Sequence, residues 1–178
     1  MKKTSIKKIC LSAVMAALYV GLDFLAVTVS APLGGNMKLS LNGLPVIIIS
    51  AFFGPWWGAA TGFVGAFIGQ LLTYGLSATT FLWVLPAVFR GIVFGFLFKA
   101  FKSSLKPHIL CIETVISGFV VTAVNTAVMY VDSIVYCYPI VLLGVSLINR
   151  ILAATITSVV FALILPPILK VLKKAVKI

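Results

Sequence analysis

The sequence is poor in acidic side chains. Only three Asp and Glu residues occur among 178 residues, against 14 Lys and Arg, and they are scattered at Asp23, Glu113 and Asp132. So sparse a distribution offers no paired-carboxylate site, and the chain has neither a Ser/His pair nor an HExxH segment. Catalysis by this chain is therefore poorly provided for.

Other absences narrow the function further. Histidine occurs once, at His108, and the three cysteines stand alone at Cys10, Cys111 and Cys137 without a CxxC spacing. We therefore expect neither a metal site nor a disulfide framework, and no cofactor. The GxxxxGK[ST] phosphate loop is also missing, so the sequence predicts no ATP hydrolysis by the chain itself.

Apolar residues are what the chain has in abundance. They make up 62% of the sequence, charged residues make up 10%, and the mean hydropathy is +1.22. These values lie outside the range of soluble globular proteins. Because one helical span takes about 20 apolar residues, the chain has room for at most about six or seven spans. We predict an integral membrane protein with a single domain over residues 1–178.

The basic residues indicate topology rather than a nucleic-acid partner. The net charge is +11, and eleven of the fourteen Lys and Arg residues flank apolar segments in three clusters. The positive-inside rule puts such clusters on the cytoplasmic side, which predicts that both termini are cytoplasmic and that the N-terminal segment is a retained helix. The clusters are Lys2, Lys3, Lys7 and Lys8; Lys99, Lys102 and Lys106; and Lys170, Lys173, Lys174 and Lys177.

The apolar segments predict an all-α bundle of six transmembrane helices. An external loop over residues 31–42 follows the first segment, and Pro166–Pro167 is expected to end the last one. The second segment is short and Pro86 lies inside the fourth, so we expect irregular backbone near a cavity at these places. The predicted segments are about 8–30, 43–53, 56–74, 81–99, 109–130 and 139–169.

The chain is organised around the pair of predicted helices formed by the third and fourth segments, residues 54–95. Gly58, Gly62, Gly65 and Gly69 are spaced four, three and four residues apart, which puts them on a narrow arc of one helix and predicts close contact with another helix. Gln70 and Tyr74 follow at the outer end, where the spacing i, i+4 lets both point into a pocket.

Three basic residues lie outside the topological clusters. Arg90 falls near the middle of its segment, where a charge costs a few kcal/mol unless it is paired, so it either binds a ligand or pairs with Asp23. Arg150 lies at a similar depth. Lys38 is on the outer side, where it is either simply solvated or part of a lid that attracts an anion.

These residues predict a pocket open to the outside. Trp83 contributes either to its rim or to an interfacial aromatic belt, and Asn125 either lines it or joins helices. Aromatic rings, amides and guanidinium groups together suit a small ligand with a planar ring and a carboxylate. The candidate substrate-binding residues are Lys38, Gln70, Tyr74, Trp83, Arg90 and Asn149.

The first segment carries small residues at helical spacing. Ala13, Ala17 and Gly21 are four residues apart and Ala16 lies beside them, so another helix can approach closely. This face either docks a partner protein or packs inside the chain's own bundle.

The run from Lys38 to Gly95 resembles the S components of energy-coupling factor (ECF) vitamin transporters. The resemblance is carried by LPVIIISAFFGPWWGAATGFVGAFIGQLL and by TTFLWVLPAVFRG. It implies a six-helix subunit of the bacterial cell membrane that captures a vitamin outside and works with a transmembrane coupling subunit and two cytoplasmic ATPases. Ala13, Ala16 and Ala17 resemble the face with which such subunits dock the coupling subunit.

Among these transporters, the aromatic rim with Arg90 and Lys38 is most similar to the folate-specific members. The chain departs from them at Gly69 and Gln70, where those members often carry an acidic residue. The resemblance implies folate as the substrate, with pantothenate or another small anionic vitamin as the alternative. An intramembrane enzyme is the alternative class of function.

Overall fold

The computed structural model describes residues 3–30, 36–139 and 141–176. Over these residues the chain forms six helices and one two-stranded sheet. Lys2, Lys177 and the predicted loop tip over 31–35 lie outside the described residues. The elements are α1 (Lys3–Phe24), β1 (Val27–Ser30), β2 (Asn36–Leu39), α2 (Gly43–Phe53), α3 (Pro55–Tyr74), α4 (Thr80–Ala100), α5 (Pro107–Tyr136) and α6 (Val141–Val176).

The predicted all-α architecture is confirmed in its six helices, and the two strands add a short hairpin that was not predicted. The first helix ends at Phe24, short of the predicted Ser30, and β1 pairs with β2 in an antiparallel hairpin in which Thr28 lies opposite Lys38. The run from Val27 to Val29 is β-branched throughout, and such residues lose less side-chain freedom in a strand than in a helix. We call the end of the bundle that carries this hairpin the hairpin end.

The helix boundaries agree with the prediction at α2, which runs over the predicted residues 43–53. Helix α5 continues to Tyr136, so most of the predicted outer loop after Tyr130 is helical. The prediction that Pro166–Pro167 ends the last helix was wrong, because α6 passes through both prolines and ends at Val176. Leu165 and Leu169 on either side are fully buried, and such burial, worth about 1.5–3 kcal/mol for each side chain, offsets the proline cost of about 3 kcal/mol.

The predicted glycine face of α3 is in close contact with three helices rather than one. Near the α2–α3 turn, a Cβ on Gly58 would meet Ser50 on α2 and Gly91 on α4, and a Cβ on Gly62 would lie 2.6 Å from the Ala87 carbonyl oxygen on α4. Toward the hairpin end, a Cβ on Gly65 would lie 2.8 Å from the ring of Tyr19 on α1. The glycines therefore let all three neighbours approach the α3 backbone, which fixes the wall of the site described below.

The hydrophobic core occupies the middle of the bundle and the end opposite the hairpin. It joins apolar residues of α2, α4, α5 and α6. The cluster consists of Leu44, Ile47, Ile48, Phe94, Phe98, Leu110, Phe161, Leu165 and Leu169.

Three of the described helical segments are long and apolar enough to cross a membrane, by length and composition. They are Thr80–Ala100, Pro107–Tyr136 and Leu147–Lys174, and α2 is a shorter apolar helix. Six spans and two cytoplasmic termini stay predictions.

Candidate functional site

A cavity of about 650 Å³ opens at the hairpin end. Of the six residues predicted to bind substrate, five line it, and they come from the hairpin, α3 and α4. Asn149, the sixth, is buried in α6 and is not among the lining residues. The predicted residues that the structure brings together are Lys38, Gln70, Tyr74, Trp83 and Arg90.

Arg90 lies at the deep side of this cavity. Its guanidinium occupies the space that a side chain at position 43 would need, so Gly43 at the start of α2 is what admits it. The guanidinium carbon lies 5.8 Å from the centroid of the Phe161 ring, within the range of a cation–π interaction. Asp23 does not pair with Arg90, because among the described residues it forms its ion pair with Lys38.

The pair of Asp23 and Lys38 ties the hairpin to the helices. Lys38 Nζ donates to Asp23 Oδ1 at 2.9 Å, and Asn42 Nδ2 donates to the same oxygen at 2.8 Å. The Lys38 side chain is 49% exposed and Asp23 is 22% exposed. One carboxylate thus links α1, β2 and the start of α2 across the mouth of the cavity.

Trp83 joins two charged residues on the far wall. Its indole Nε1 donates to Asp132 Oδ1 at 3.3 Å, and its ring centroid lies 5.6 Å from the guanidinium carbon of Arg150. Arg150 Nη1 is buried and has no hydrogen-bond partner among the described residues. Tyr138 lies 3.2 Å from Asp132 Oδ2, and burial together with this carboxylate raises the pKa of its phenol.

Sequence reasoning did not include Asp132 and Arg150 among the substrate-binding residues. Asp132 was assigned to an outer loop, whereas it lies in the extended part of α5 and lines the cavity. Its spacing of seven residues from Asn125, two helical turns, was the signal that both face the same side. With Lys38, Arg90 and Arg150 against Asp23 and Asp132, the cavity carries three positive and two negative groups, a net charge of +1.

A second cavity of about 170 Å³ adjoins the first between α5 and α6. The two share seven lining residues, which stand at their boundary: Lys38, Ser40, Asn42, Arg90, Val121, Asn125 and Arg150. We call the second space the inner chamber. The residues that line only this second space are Ile47 of α2, the small or hydroxyl-bearing residues Thr114, Ser117, Gly118, Thr122, Ala153, Ala154, Thr157 and Ser158 of α5 and α6, and Phe161.

The structure divides the small residues of α1 between two faces. Ala16 is buried, with 3% of its surface exposed, so it packs inside the bundle. Ala13 and Ala17 are exposed, and a Cβ on Gly21 would meet nothing within 4 Å. A stripe of three small residues therefore lies open on the outer side of α1.

The fold is that of an ECF transporter S component. A solved structure described as the S component of a bacterial ECF transporter superposes with a TM-score of 0.62 at 18% sequence identity. The match covers 95% of this chain and 99% of that one.

A family model described as "ECF-type riboflavin transporter, S component" matches residues 3–174. The chain belongs to this family.

Curated relatives match over part of the chain. A UPF0397 protein of Streptococcus thermophilus is 29% identical over 105 residues, which is 59% of this chain and 55% of the relative. A UPF0397 protein of Lactococcus lactis subsp. cremoris is 31% identical over 96 residues, 54% of this chain and 50% of the relative. The chain thus spans about half the length of the curated relatives it matches.

Proposed function

We propose that the chain is the vitamin-binding subunit of an ECF-type importer and that its substrate is riboflavin. The observation that carries this proposal is the 650 Å³ cavity at the hairpin end, lined by aromatic, amide and guanidinium groups within a chain of the riboflavin S-component family. A flat ring system is held by stacking and by a few oriented hydrogen bonds. Trp83 and Tyr74 supply the rings, and Arg90 and Gln70 supply donors for the ring oxygens.

Folate is the second candidate, and one observation favours it. Two guanidinium groups, Arg90 and Arg150, line the cavity without an ion-pair partner among the described residues, and folate brings two carboxylates. Pantothenate or another small anionic vitamin would use the same groups with a single carboxylate.

Mass spectrometry and binding titrations distinguish these three candidate substrates. The purified protein is analysed by mass spectrometry for the vitamin that copurifies from rich medium, and is then titrated calorimetrically with riboflavin, folate and pantothenate. We expect riboflavin to copurify and to bind at least about 100-fold more tightly than the others, a difference of about 2.7 kcal/mol. A preference for folate or pantothenate would overturn riboflavin as the substrate and leave the importer subunit in place.

The same proposal includes a transmembrane coupling subunit and two cytoplasmic ATPases as partners. The chain alone is expected to bind its vitamin in liposomes without concentrating it, since it carries no phosphate loop. Concentrative uptake by the lone chain would contradict the proposal.

We further propose that the open stripe of Ala13, Ala17 and Gly21 docks the coupling subunit. Ala17→Trp should abolish uptake by the full transporter and leave vitamin affinity unchanged, because a tryptophan prevents the close approach of a second helix. Ala127→Trp, at an exposed alanine of α5, is the matched control and should retain uptake. Equal loss in both variants would remove the stripe from the docking surface.

A further inference from the structure

We infer that Glu113 of α5 is a proton-binding site: its carboxyl group is held as the neutral acid inside the bundle, and loss of the proton destabilises the contact of α5 with α4 and α6. The site is separate from both cavities, because Glu113 is not among the residues that line them. The inference goes beyond the proposed function and does not depend on which vitamin is bound.

Of the three acidic residues, Glu113 alone has no partner within the described part of the chain. Asp23 forms an ion pair with Lys38 at 2.9 Å, and Asp132 accepts a hydrogen bond from Trp83. Glu113 is 0% exposed, and neither Oε1 nor Oε2 accepts a hydrogen bond from any residue that the structure describes. A buried polar group of this kind needs a physical explanation.

The surroundings of Glu113 are apolar. Leu110 precedes it by three residues, so the two side chains lie on the same face of α5. Leu110 belongs to the apolar cluster with Phe94, Phe161 and Leu165. Transfer of an ionised carboxylate from water into such surroundings is so unfavourable that the group takes up a proton unless a cation balances its charge.

No such cation is paired with Glu113 among residues 3–30, 36–139 and 141–176. Helix α5 packs against α4 and α6, and the charged side chains of these two helices either line the cavities or are exposed. Arg90 and Arg150 line the cavities, and Lys99, Lys170, Lys173 and Lys174 are exposed. On α5 itself, His108 is exposed and Asp132 lines the larger cavity. A proton is therefore the cation that fits this carboxylate.

Ser117 gives Glu113 a polar neighbour on the side of the inner chamber. It follows Glu113 by four residues, so the two side chains are adjacent on α5. Its Oγ is buried, has no hydrogen-bond partner among the described residues and lines the chamber. This hydroxyl offers a path for a proton between the chamber and Glu113. It does not replace a counter-ion, because it donates one hydrogen bond and carries no charge.

Isotope labelling reads the protonation state directly. Glu113 is the single glutamate of the chain, so cell-free synthesis with glutamate labelled by carbon-13 at its side-chain carboxyl reports this group without a mutation. We expect the infrared spectrum at neutral pH to show the isotope-shifted C=O band of a protonated acid, and Glu113→Gln to lack it. The bands of an ionised carboxylate would overturn the inference, including the case in which Arg90 pairs with Glu113 in the membrane.

The pH dependence of stability tests the effect on the fold. An exposed glutamate in the unfolded chain loses its proton above about pH 4.3, whereas folded Glu113 keeps it. The folded state then binds more protons than the unfolded state, so stability falls as the pH rises. From mildly acidic to neutral pH, we expect the unfolding equilibrium constant of the wild type to rise by up to about tenfold per pH unit relative to that of Glu113→Gln.

Chemical denaturation in detergent micelles over this pH range measures the difference. His108→Gln, at an exposed titratable residue of the same helix, is the matched control and should follow the wild type. The same pH dependence in the wild type and in Glu113→Gln would overturn the inference. If Glu113→Gln does not fold, the spectrum of the labelled wild type decides alone.

Discussion

At the end opposite the hairpin, Phe94, Leu110 and Leu165 are fully buried in one apolar cluster, whereas at the hairpin end α4, α5 and α6, together with α1, α3 and the β hairpin, surround a cavity of about 650 Å³. Helices α4, α5 and α6 contribute residues to both ends. The difference lies in which residues each helix presents: phenylalanine and leucine at one end, and arginine, asparagine and hydroxyl groups at the other. Close packing at one end thus supports a cavity lined by charged residues at the other.

This comparison predicts that the two ends respond differently to truncation, and the largest effect belongs to the packed end. Phe94→Ala should lower the free energy of unfolding by about 3–5 kcal/mol, because the bundle cannot close the resulting void. Chemical denaturation in detergent micelles measures it. Phe81→Ala, at an exposed ring near the hairpin end, is the control and should cost much less. Equal losses in the two variants would mean that the packed end does not hold the bundle together.

At the cavity, truncation should affect binding instead. Arg90→Ala should weaken vitamin binding by about 2–5 kcal/mol, which is about 30-fold to several thousand-fold, because the ligand loses a buried charged donor. Titration calorimetry measures the affinity, and Lys99→Ala, outside the lining residues, is the control. If Arg90→Ala keeps full affinity but unfolds more easily, Arg90 is a structural residue.

The smallest effect is expected at the mouth of the cavity. Lys38→Ala should cost about 1 kcal/mol or less in stability, since its ion pair with Asp23 is partly exposed and screened by water. The loss should shrink further at high salt. The stability of Lys38→Ala and Asp23→Ala at low and high salt, together with the double variant, measures the coupling. A coupling well above 1 kcal/mol would show that this end, too, contributes strongly to the fold.

The sequence predicted much of this architecture, because a hydrocarbon environment leaves few choices for an apolar segment. The bounds of α2 and the close contacts of the α3 glycines followed from composition and spacing. The β hairpin was not predicted, because the run 27–29 is apolar and was therefore assigned to the first transmembrane helix. The continuation of α6 through Pro166–Pro167 depends on tertiary burial of Leu165 and Leu169, which no local signal reports.

The residues of the candidate site were likewise only partly predictable from the sequence. Residues that are costly in a membrane, such as Arg90, pointed to the cavity from their chemistry alone. It was harder to predict which side chains of a helix face the interior of the bundle. Ala16 was therefore grouped with Ala13 and Ala17, although it lies inside the bundle. The assignment of Asp132 depended on where α5 ends, and helix ends are the least certain feature of a sequence.

The position of Trp83 in the wall of the cavity makes its fluorescence a readout for ligand binding. Trp56 and Trp57 stand at the start of α3, at the end away from the hairpin, and are not among the residues that line either cavity, so Trp83 is the single indole at the site. Replacing Trp56 and Trp57 by phenylalanine would leave one emitter, whose ring lies between a carboxylate and a guanidinium. Its emission should be quenched when a flavin, which absorbs in that spectral region, enters the cavity, and the rate of vitamin capture would then be read directly in a stopped-flow fluorimeter.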